Sequence, residues 1–434
     1  MRKVRIRSIM EIHACIKGLE EGQFDEVLTA LYGKEALDIQ RIRYRNAVDK
    51  FQKYYPGCGE ISIFSAPGRS EVCGNHTDHQ HGCVLAAAIN LDAIAVVSFH
   101  QDGVIRMQSE GYDPEIIDLS DLKIRPEEKG MTASLIRGMA AQFEVLGSKI
   151  GGFNAYITSD VLGGSGLSSS AAFEVLMGTI LDQHYNGGNA GAVTIAKMGQ
   201  IAENQYFGKQ SGLMDQMVSS VGGFVFIDFG NIADPVIEKH TCDFAKEGYS
   251  LFITDTKGSH ADLTDDYVSI PTEMRQVAQQ FGKEYLSEVS EEDFYRALPQ
   301  LRNTCSHRAV LRAAHYYGDN ARVAKEVQAL DEKNMPRFLQ LVTESGNSSA
   351  KWLQNLYSTH KADEQGISLA LMLSERILGS EGACRVHGGG FAGTIQAFVP
   401  DHLAETYRDA MNRLFGADSC HKLRIREAGG IQIL

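Results

Sequence analysis

The sequence lacks any cluster of lysine and arginine residues of the kind that binds nucleic acid. Its 434 residues include 42 Lys and Arg against 55 Asp and Glu, so the formal net charge is -13. Because nucleic-acid phosphates are bound by clustered cationic side chains, this balance argues against DNA or RNA as the main partner. A small-molecule partner is expected instead.

Long apolar runs and disulfide patterns are also missing. The longest apolar stretch, 84–99, is interrupted by Asn90 and Asp92 and is shorter than the roughly 18 residues that a membrane span requires. The 8 cysteines are scattered with no Cys-x-x-Cys pair, which favours reduced thiols over a disulfide framework or a zinc site. Near the N-terminus, Glu11 and Lys17 interrupt any apolar signal region. These absences predict a globular, cytoplasmic protein without a membrane partner.

Proline is scarce as well, which leaves no case for disorder or fibrous repeats. The 9 prolines, together with 43% hydrophobic and 22% charged residues, match ordinary globular usage. The length suggests two or three domains with a substantial core. Within residues 1–55, apolar side chains recur at helical spacing, for example Ile9, Ile12 and Ile16. We expect this segment to be a helical extension that serves packing or an oligomer surface.

A stretch rich in glycine and serine, residues 160–174, carries the clearest ligand-binding signal. Its glycines allow close backbone approach and positive φ, and its serines lead into the helix-forming run that starts at Ala171. The unpaired N–H groups and the positive end of such a helix suit an anionic ligand. The residues expected to hold nucleotide phosphates are Gly163, Gly164, Ser165, Gly166, Leu167, Ser168, Ser169 and Ser170.

Two familiar phosphate motifs do not match this stretch. The Walker pattern requires a lysine, which the loop lacks, and the dinucleotide fingerprint requires a glycine where Ser169 stands. From these residues alone, a loop that merely caps an ordinary helix is an equally good interpretation.

A polar cluster follows the first predicted strand. Residues 61–65 alternate as a strand does, and the pattern stops at a Pro-Gly pair. Polar side chains between Arg69 and His81 then lie in a predicted loop, a common location for ligand groups. An alternative is a metal-hydrolase site, although no second His-rich motif supplies further ligands. Its ligands would be His76, Asp78, His79 and His81.

Two acidic residues follow at helical positions. Glu203 falls on a predicted helix, and Asp215 stands near the start of another, where the helix dipole favours a charged carboxylate. Either acid could instead be a helix cap or a solvated surface charge. The second half of the chain alternates strands and helices, which is typical of an α+β architecture, and contains a glycine run at 388–393 before the strand 395–399.

Five motifs, taken together, resemble the galactokinase branch of the GHMP small-molecule kinases. Each motif alone is weak to moderate, but their order is specific, and the resemblance extends from about Phe51 to the C-terminus. A later segment, Ser259-His260 with Tyr267, resembles the family's sugar-contact region. The five motifs are Ala66-Pro67-Gly68-Arg69 with Gly74-Asn75-His76-Thr77-Asp78, the run Gly164-Ser165-Gly166-Leu167-Ser168-Ser169-Ser170-Ala171, Ala202-Glu203-Asn204, Gly212-Leu213-Met214-Asp215-Gln216, and Gly388-Gly389-Gly390-Phe391-Ala392-Gly393.

The resemblance implies a two-domain α+β fold with the ATP site in the cleft between the domains. It implies an S5-like, β-rich N-terminal domain over 56–240 and a ferredoxin-like C-terminal domain over 241–434, preceded by the helical extension 1–55. It also implies that the chain is a sugar kinase, most simply a galactokinase, that uses ATP and Mg²⁺. The oligomeric state is left open.

The same resemblance assigns roles to individual residues. Asp215 would accept the proton of the anomeric hydroxyl, and Arg69 would keep Asp215 ionised and stabilise the transferring charge. Ser170 and Glu203 would bind Mg²⁺ against the β- and γ-phosphates. The sugar would be bound by Asn75, His76, Asp78, Gly212 and Tyr267.

The sequence departs from the family pattern at three positions. Asn75 stands where Glu is usual, and His387 and Ala392 replace a usual Thr and Gly. By resemblance, position 75 faces the sugar's C6 hydroxyl, so a neutral Asn75 beside a protonatable His76 makes a galacturonate-type substrate an alternative to galactose. A second alternative is a non-catalytic sugar and ATP sensor. The retention of Asp215 and Glu203 weighs against a sensor.

Overall fold

The computed structural model describes residues 9–163, 166–258 and 263–434, and these residues form two β-sheets with helices on both faces. Across the described ranges, no helix is long and apolar enough to cross a membrane. The strands are β1 (Met10–Glu11), β2 (Glu60–Cys73), β3 (Cys83–His100), β4 (Val104–Ser109), β5 (Glu115–Asp118), β6 (Gly152–Ser159), β7 (Phe224–Asp228), β8 (Val236–His240), β9 (Tyr249–Asp255), β10 (Ala383–Val386), β11 (Thr394–Pro400), β12 (Cys420–Leu423) and β13 (Ile431–Gln432).

The helices lie between these strands, mostly in runs such as α1–α3, α5–α7 and α8–α13, and short 3₁₀ and π-helical turns join several of them. The α-helices are α1 (Ile12–Glu20), α2 (Asp25–Tyr32), α3 (Leu37–Tyr54), α4 (Thr132–Val145), α5 (Ser169–Asn186), α6 (Ala192–Ile201), α7 (Met214–Val221), α8 (Thr264–Gln279), α9 (Glu291–Arg296), α10 (Leu298–Thr304), α11 (His307–Asp331), α12 (Met335–Ser348), α13 (Gly366–Leu378) and α14 (Ala404–Phe415).

The first sheet has the strand order β1-β2-β3-β6-β4-β5, with β13 paired to β2, β7 paired to β3, and β8 paired to β7. Its pairs are antiparallel apart from β4 and β6. Alternate residues of β3 face opposite sides, as a strand's period of two requires. Ile94 and Val96 pack with the N-terminal helices α1 to α3, whereas Ala95 and Val97 pack with α4 and α5. The described residues of the helical extension thus pack against one face of the first sheet.

The second sheet has the order β10-β11-β9-β12 and is antiparallel throughout. Phe252 and Val399 pack against Tyr407 of α14, whereas Leu251 and Phe398 face the core that contains Leu341 of α12. The two sheets with their helices confirm the two-domain α+β expectation.

The strand predicted at 61–65 is longer than expected. β2 continues past Pro67 to Cys73 and pairs with β3, with register shifts between Pro67 and Arg69 and again between Glu71 and Cys73. A bulge is one of the places where a strand tolerates proline, because the missing N–H then breaks no ladder bond. Arg69 and Glu71 thus lie on a buried strand and not in the predicted loop.

The chain's last strand returns to the first sheet. β13 pairs with Ser65 and Phe64 of β2, and the Ile433 N–H donates to the Ile63 carbonyl at 2.8 Å. The division at residues 55 and 240 stays a prediction, and the C-terminal residues belong structurally with the first sheet.

A buried carboxylate, Asp92, joins the N-terminal helices, the first sheet and the C-terminal tail. It accepts hydrogen bonds from Tyr32 at 2.6 Å, Arg43 at 2.7 Å and Arg426 at 2.8 Å, and also from Ser65. Burial alone would raise the pKa of Asp92, but Arg43 and Arg426 hold that pKa below its ordinary value. The carboxylate is therefore charged whenever the fold is intact near neutral pH.

We expect Asp92→Asn to lower the free energy of unfolding by about 3 to 5 kcal/mol at pH 7, because buried Arg426 would lose its anion and Arg43 would keep only partly exposed Asp160. Urea unfolding measures this value. Since the folded-state pKa of Asp92 is lowered, its contribution is complete above the unfolded pKa, and the difference from wild type should shrink as the pH falls below about 4. The control Glu405→Gln alters a mostly exposed pair with Arg408 and should change stability by less than about 1 kcal/mol. A loss of less than about 1 kcal/mol in Asp92→Asn as well would contradict the anchoring role.

Candidate active site

The glycine and serine stretch leads directly into α5, as predicted. α5 begins at Ser169, and both Gly166 and Ser168 have left-handed backbone conformations, with φ of 72° and 60°. Within the described part of the chain, no side chain caps the start of α5. Its first N–H groups can therefore bind an anion. Gly164 and Ser165 lie outside the described residues.

This loop is anchored to β2 on one side and borders a cavity on the other. Leu167 is fully buried, and its carbonyl accepts the Arg69 N–H at 3.0 Å, so Leu167 anchors the loop and its side chain is not available to a ligand. The cavity has a volume of about 480 Å³ and is lined by Gly163, Ser169 and Ser170 together with apolar side chains such as Phe173. Its size and mixed lining suit a nucleoside whose phosphates reach the start of α5.

Asp215 lies in the first turn of α7 and is held by Arg69 from β2. Arg69 Nε donates to Asp215 Oδ1 and Nη2 donates to Oδ2, each at 2.8 Å, and Arg69 Nη1 also donates to the Gly166 carbonyl. Ser168 Oγ donates to Asp215 Oδ2 at 2.7 Å. A bidentate guanidinium fixes a carboxylate's orientation as well as its charge. The structure thus brings the expected base, its arginine and the loop together.

Glu203 lies in the π-helical segment Ala202–Phe207, which continues α6, and is almost completely buried. Ser170 Oγ donates to Glu203 Oε1 at 3.1 Å. A hydroxyl and a carboxylate are oxygen ligands of the kind that Mg²⁺ prefers, with substrate phosphates and waters completing its shell. Ser170 and Glu203 therefore fit the expected cation.

A second buried carboxylate lies behind Glu203. Gln216 Nε2 donates to Glu203 Oε2 and to Glu174 Oε2, both at 2.9 Å. Burial, and then the charge of Glu203, raise the pKa of Glu174 well above its ordinary value and so favour its neutral form. Gln216 and Glu174 thus orient Glu203.

The expected sugar residues converge on the glycine run 388–393. The His76 Nε2 lies 3.0 Å from the Gly389 carbonyl, and the Tyr267 hydroxyl donates to the Gly390 carbonyl at 2.9 Å. A Cβ on Gly212 would lie 3.2 Å from Asp78 Oδ2, which shows how closely the two segments approach. Ser259 and His260 lie outside the described residues.

His76 cannot supply a charge to a substrate near neutral pH. Burial, and then the neighbouring His79, lower the pKa of His76 to about 4. The positive charge that the uronic-acid alternative invoked at this position is therefore absent at physiological pH.

Asn75 does not face the site as expected. Its side chain is fully buried, with Nδ2 donating to Glu71 Oε1 at 2.9 Å and to the Gly388 carbonyl at 2.7 Å. Its Oδ1 accepts from Asn355 Nδ2 at 2.8 Å and from Ser349 Oγ at 3.3 Å. An amide has two donor hydrogens and two acceptor positions, so all of them are occupied by the protein. The Asn75 side chain therefore has no unused donor or acceptor for a sugar, and the predicted sugar contact stays a prediction.

His387 also has a structural position. Its Nε2 accepts the Glu71 N–H at 3.2 Å, and its Nδ1 lies 3.0 Å from Thr394 Oγ1. Burial, and then the charges of Arg69 and Arg385, lower the pKa of His387 well below its ordinary value. This neutral ring links β2 to the second sheet.

The metal-hydrolase alternative finds no support. Among the described residues, no group of three or more His, Cys, Asp or Glu side chains could hold a metal ion. The His81 ring stacks on Tyr285 with centroids 3.6 Å apart, away from His76, which bonds to the glycine run.

Sequence reasoning missed several polar residues around the site. Gln216 adjoins Asp215, and Glu174 lies one helical turn after Ser170, so both could have been found from their spacing. Asn355 gave no such signal, because its contact with Asn75 spans 280 residues of sequence. Lys209 was also missed, and its ammonium pairs with Glu203.

Two family models match the chain. The galactokinase galactose-binding signature matches residues 49–99, and the N-terminal domain of GHMP kinases matches residues 134–223. These ranges contain the polar cluster, the phosphate loop, Glu203 and Asp215.

Solved structures with the same fold include galactokinase and mevalonate-type kinases. Lactococcus lactis galactokinase, solved with galactose, superposes with a TM-score of 0.76 at 21% identity, over 90% of this chain and 99% of that one. Methanococcus jannaschii mevalonate kinase gives a TM-score of 0.60 at 16% identity, over 84% of this chain and 98% of that one. Streptococcus pneumoniae phosphomevalonate kinase, solved with phosphomevalonate and AMPPNP, gives a TM-score of 0.56 at 14% identity, over 83% of this chain and 99% of that one.

The fold, the paired acid and arginine beside an anion-binding helix, and the two matched models agree with one another. Together they show a chain with the GHMP kinase fold that carries the galactokinase galactose-binding signature, which indicates a phosphotransferase that acts on a sugar hydroxyl.

Proposed function

We propose that the chain transfers the γ-phosphoryl group of ATP to the anomeric hydroxyl of galactose, with Asp215 as the base. The observation that carries this proposal is the position of the Asp215 carboxylate. It is held by Arg69, from the polar cluster 69–81, and by Ser168, from the glycine and serine stretch. The galactose-binding signature at 49–99 and the galactose complex of the L. lactis relative support galactose as the sugar.

The bonds around Asp215 leave room for one further donor. A carboxylate has about four acceptor positions, of which Arg69 uses two and Ser168 one. The remaining position is on Oδ1, where a sugar hydroxyl can donate and then transfer its proton. Arg69 orients the Asp215 carboxylate before the transfer and stabilises negative charge during it.

The start of α5 and two oxygen ligands would hold the nucleotide. The free N–H groups of α5 bind phosphate oxygens, and Ser170 and Glu203 would hold Mg²⁺. When bound, the cation neutralises charge on the β- and γ-phosphates. Gln216 keeps Glu203 oriented toward Ser170.

Asp78, His76, Gly212 and Tyr267 would form the sugar pocket. Asp78 remains partly exposed and can accept bonds from ring hydroxyls, whereas neutral His76 and buried Asn75 offer no charge to a carboxylate at C6. Galactose therefore remains preferred over galacturonate. A coupled ATP-consumption assay with a panel of hexoses and uronic acids tests this preference. If none of these sugars is turned over, the sensor alternative is favoured.

Asp215→Asn should lower kcat by about 10² to 10⁴-fold, because the amide keeps the shape but cannot accept the proton. ATP binding, followed by calorimetry, should persist. The control Asp234→Asn changes a mostly exposed side chain and should leave kcat unchanged. More than about a tenth of wild-type kcat in Asp215→Asn would remove Asp215 from the base role.

Glu203→Gln should raise the Mg²⁺ concentration needed for half-maximal activity, because an amide is a poorer ligand for a hard dication than a carboxylate. The control Glu144→Gln alters an exposed residue of α4. If both variants retain the wild-type Mg²⁺ dependence, Glu203 is not a ligand.

Asn75→Glu should destabilise the protein by about 3 kcal/mol or more and leave the ratio of kcat/KM for galactose and galacturonate within about threefold of wild type. The new carboxylate would be buried beside the Glu71 carboxylate and would lose the two donated bonds of the amide. Urea unfolding and the two kcat/KM values measure both effects. A stable variant with a ratio raised about tenfold would instead show that position 75 contacts the sugar.

A further inference from the structure

The ammonium group of Lys209 occupies the place where the expected cation would lie. Lys209 Nζ is 2.8 Å from Glu203 Oε1, and the same oxygen accepts the Ser170 hydroxyl at 3.1 Å. Ser170 belongs to the first turn of α5, where phosphates would bind. The ammonium therefore reaches the junction of the phosphate loop and the proposed Mg²⁺ ligands.

The chain around Lys209 is held at both ends. The N–H groups of Gly208 and Lys209 donate to the Glu203 carbonyl at 3.0 and 3.1 Å, and Gly208 has a left-handed backbone with φ of 84°. At the other end, the Ser211 N–H donates to Asn204 Oδ1 at 2.7 Å. The position of Lys209 is thus set by backbone geometry as well as by its ion pair.

The Lys209 side chain is exposed enough to change partners. It is 60% exposed, whereas the Glu203 side chain is 3% exposed, so the ammonium lies at the mouth of a buried carboxylate. Arg69, by contrast, is 10% exposed, and its Nε, Nη1 and Nη2 already donate to Asp215 and Gly166. Lys209 is therefore better placed than Arg69 to respond to an arriving anion.

We propose that Lys209 binds the β- and γ-phosphate oxygens of the nucleotide and supplies the ammonium that the phosphate loop itself lacks. A dication and an ammonium cannot share Glu203 Oε1, because like charges repel at contact distance. With a dication held by Ser170 and Glu203, the exposed Lys209 side chain would turn toward the nucleotide phosphates. Before that step, the ammonium neutralises Glu203. This inference rests on the proposed use of ATP, but it does not depend on which sugar is phosphorylated.

The test is calorimetric titration of ATP and AMP into the full chain in EDTA, so that no metal contributes. We expect Lys209→Met to weaken ATP binding by about tenfold or more and AMP binding by less than about threefold, since AMP lacks the outer phosphates. Lys209→Arg keeps the charge and should stay within about threefold of wild type. The control Lys197→Met removes another lysine, one paired at 3.7 Å with mostly exposed Asp234, and should bind both nucleotides as wild type does.

Glu203→Gln separates a phosphate-binding role from a purely structural ion pair. Removing the Glu203 carboxylate charge frees the Lys209 ammonium, so Glu203→Gln should retain or strengthen ATP binding without metal. Adding Lys209→Met to that variant should abolish this metal-free binding. Equal ATP affinity in wild type and Lys209→Met, equal losses for ATP and AMP, or no metal-free binding by wild type would each overturn the proposal. Because binding needs no turnover, failure of the galactose assignment leaves these outcomes interpretable.

Discussion

The site depends on the bidentate pair between Arg69 and Asp215. Arg69 can reach Asp215 only because β2 continues past Pro67 as a bulged strand, and Asp215 meets it because α7 begins at Met214. The same guanidinium also binds the Gly166 carbonyl, so one side chain fixes a strand, a helix start and the phosphate loop. Charge, orientation and loop position are therefore set together.

A second layer of buried polar contacts connects the polar cluster 69–81 to the second sheet. Arg385 is fully buried and donates to the Val72 carbonyl at 2.6 Å and to Glu71 at 3.0 Å, while Asn75 donates to Glu71 and Gly388. Such a network is stable only when its members are satisfied, so each residue in it is constrained by the others. Asn75, which departs from the galactokinase pattern that the sequence resembles, is therefore constrained by this network.

Local patterns allowed much of the fold and site to be predicted. The helix after the serine run, the helix that starts before Asp215 and the strand 395–399 follow from capping, dipole and alternation signals, which act over a few residues. The predicted end of the first strand was wrong. Pairing of β2 with β3 outweighs the local tendency of a Pro-Gly pair to stop a strand. The burial of Asn75 could not be foreseen either, since its side-chain partners include Asn355 and Gly388, about 300 residues away in sequence.

Phosphoryl transfer to the anomeric oxygen of galactose can be tested through the identity of the product. Purified protein should be incubated with ATP, Mg²⁺ and galactose, and the products followed by phosphorus NMR. We expect one new phosphate ester, whose phosphorus resonance is coupled to the proton on C1 of the sugar. No ester should form when 1-deoxygalactose replaces galactose. An ester at another carbon, or one formed from 1-deoxygalactose, would contradict the account.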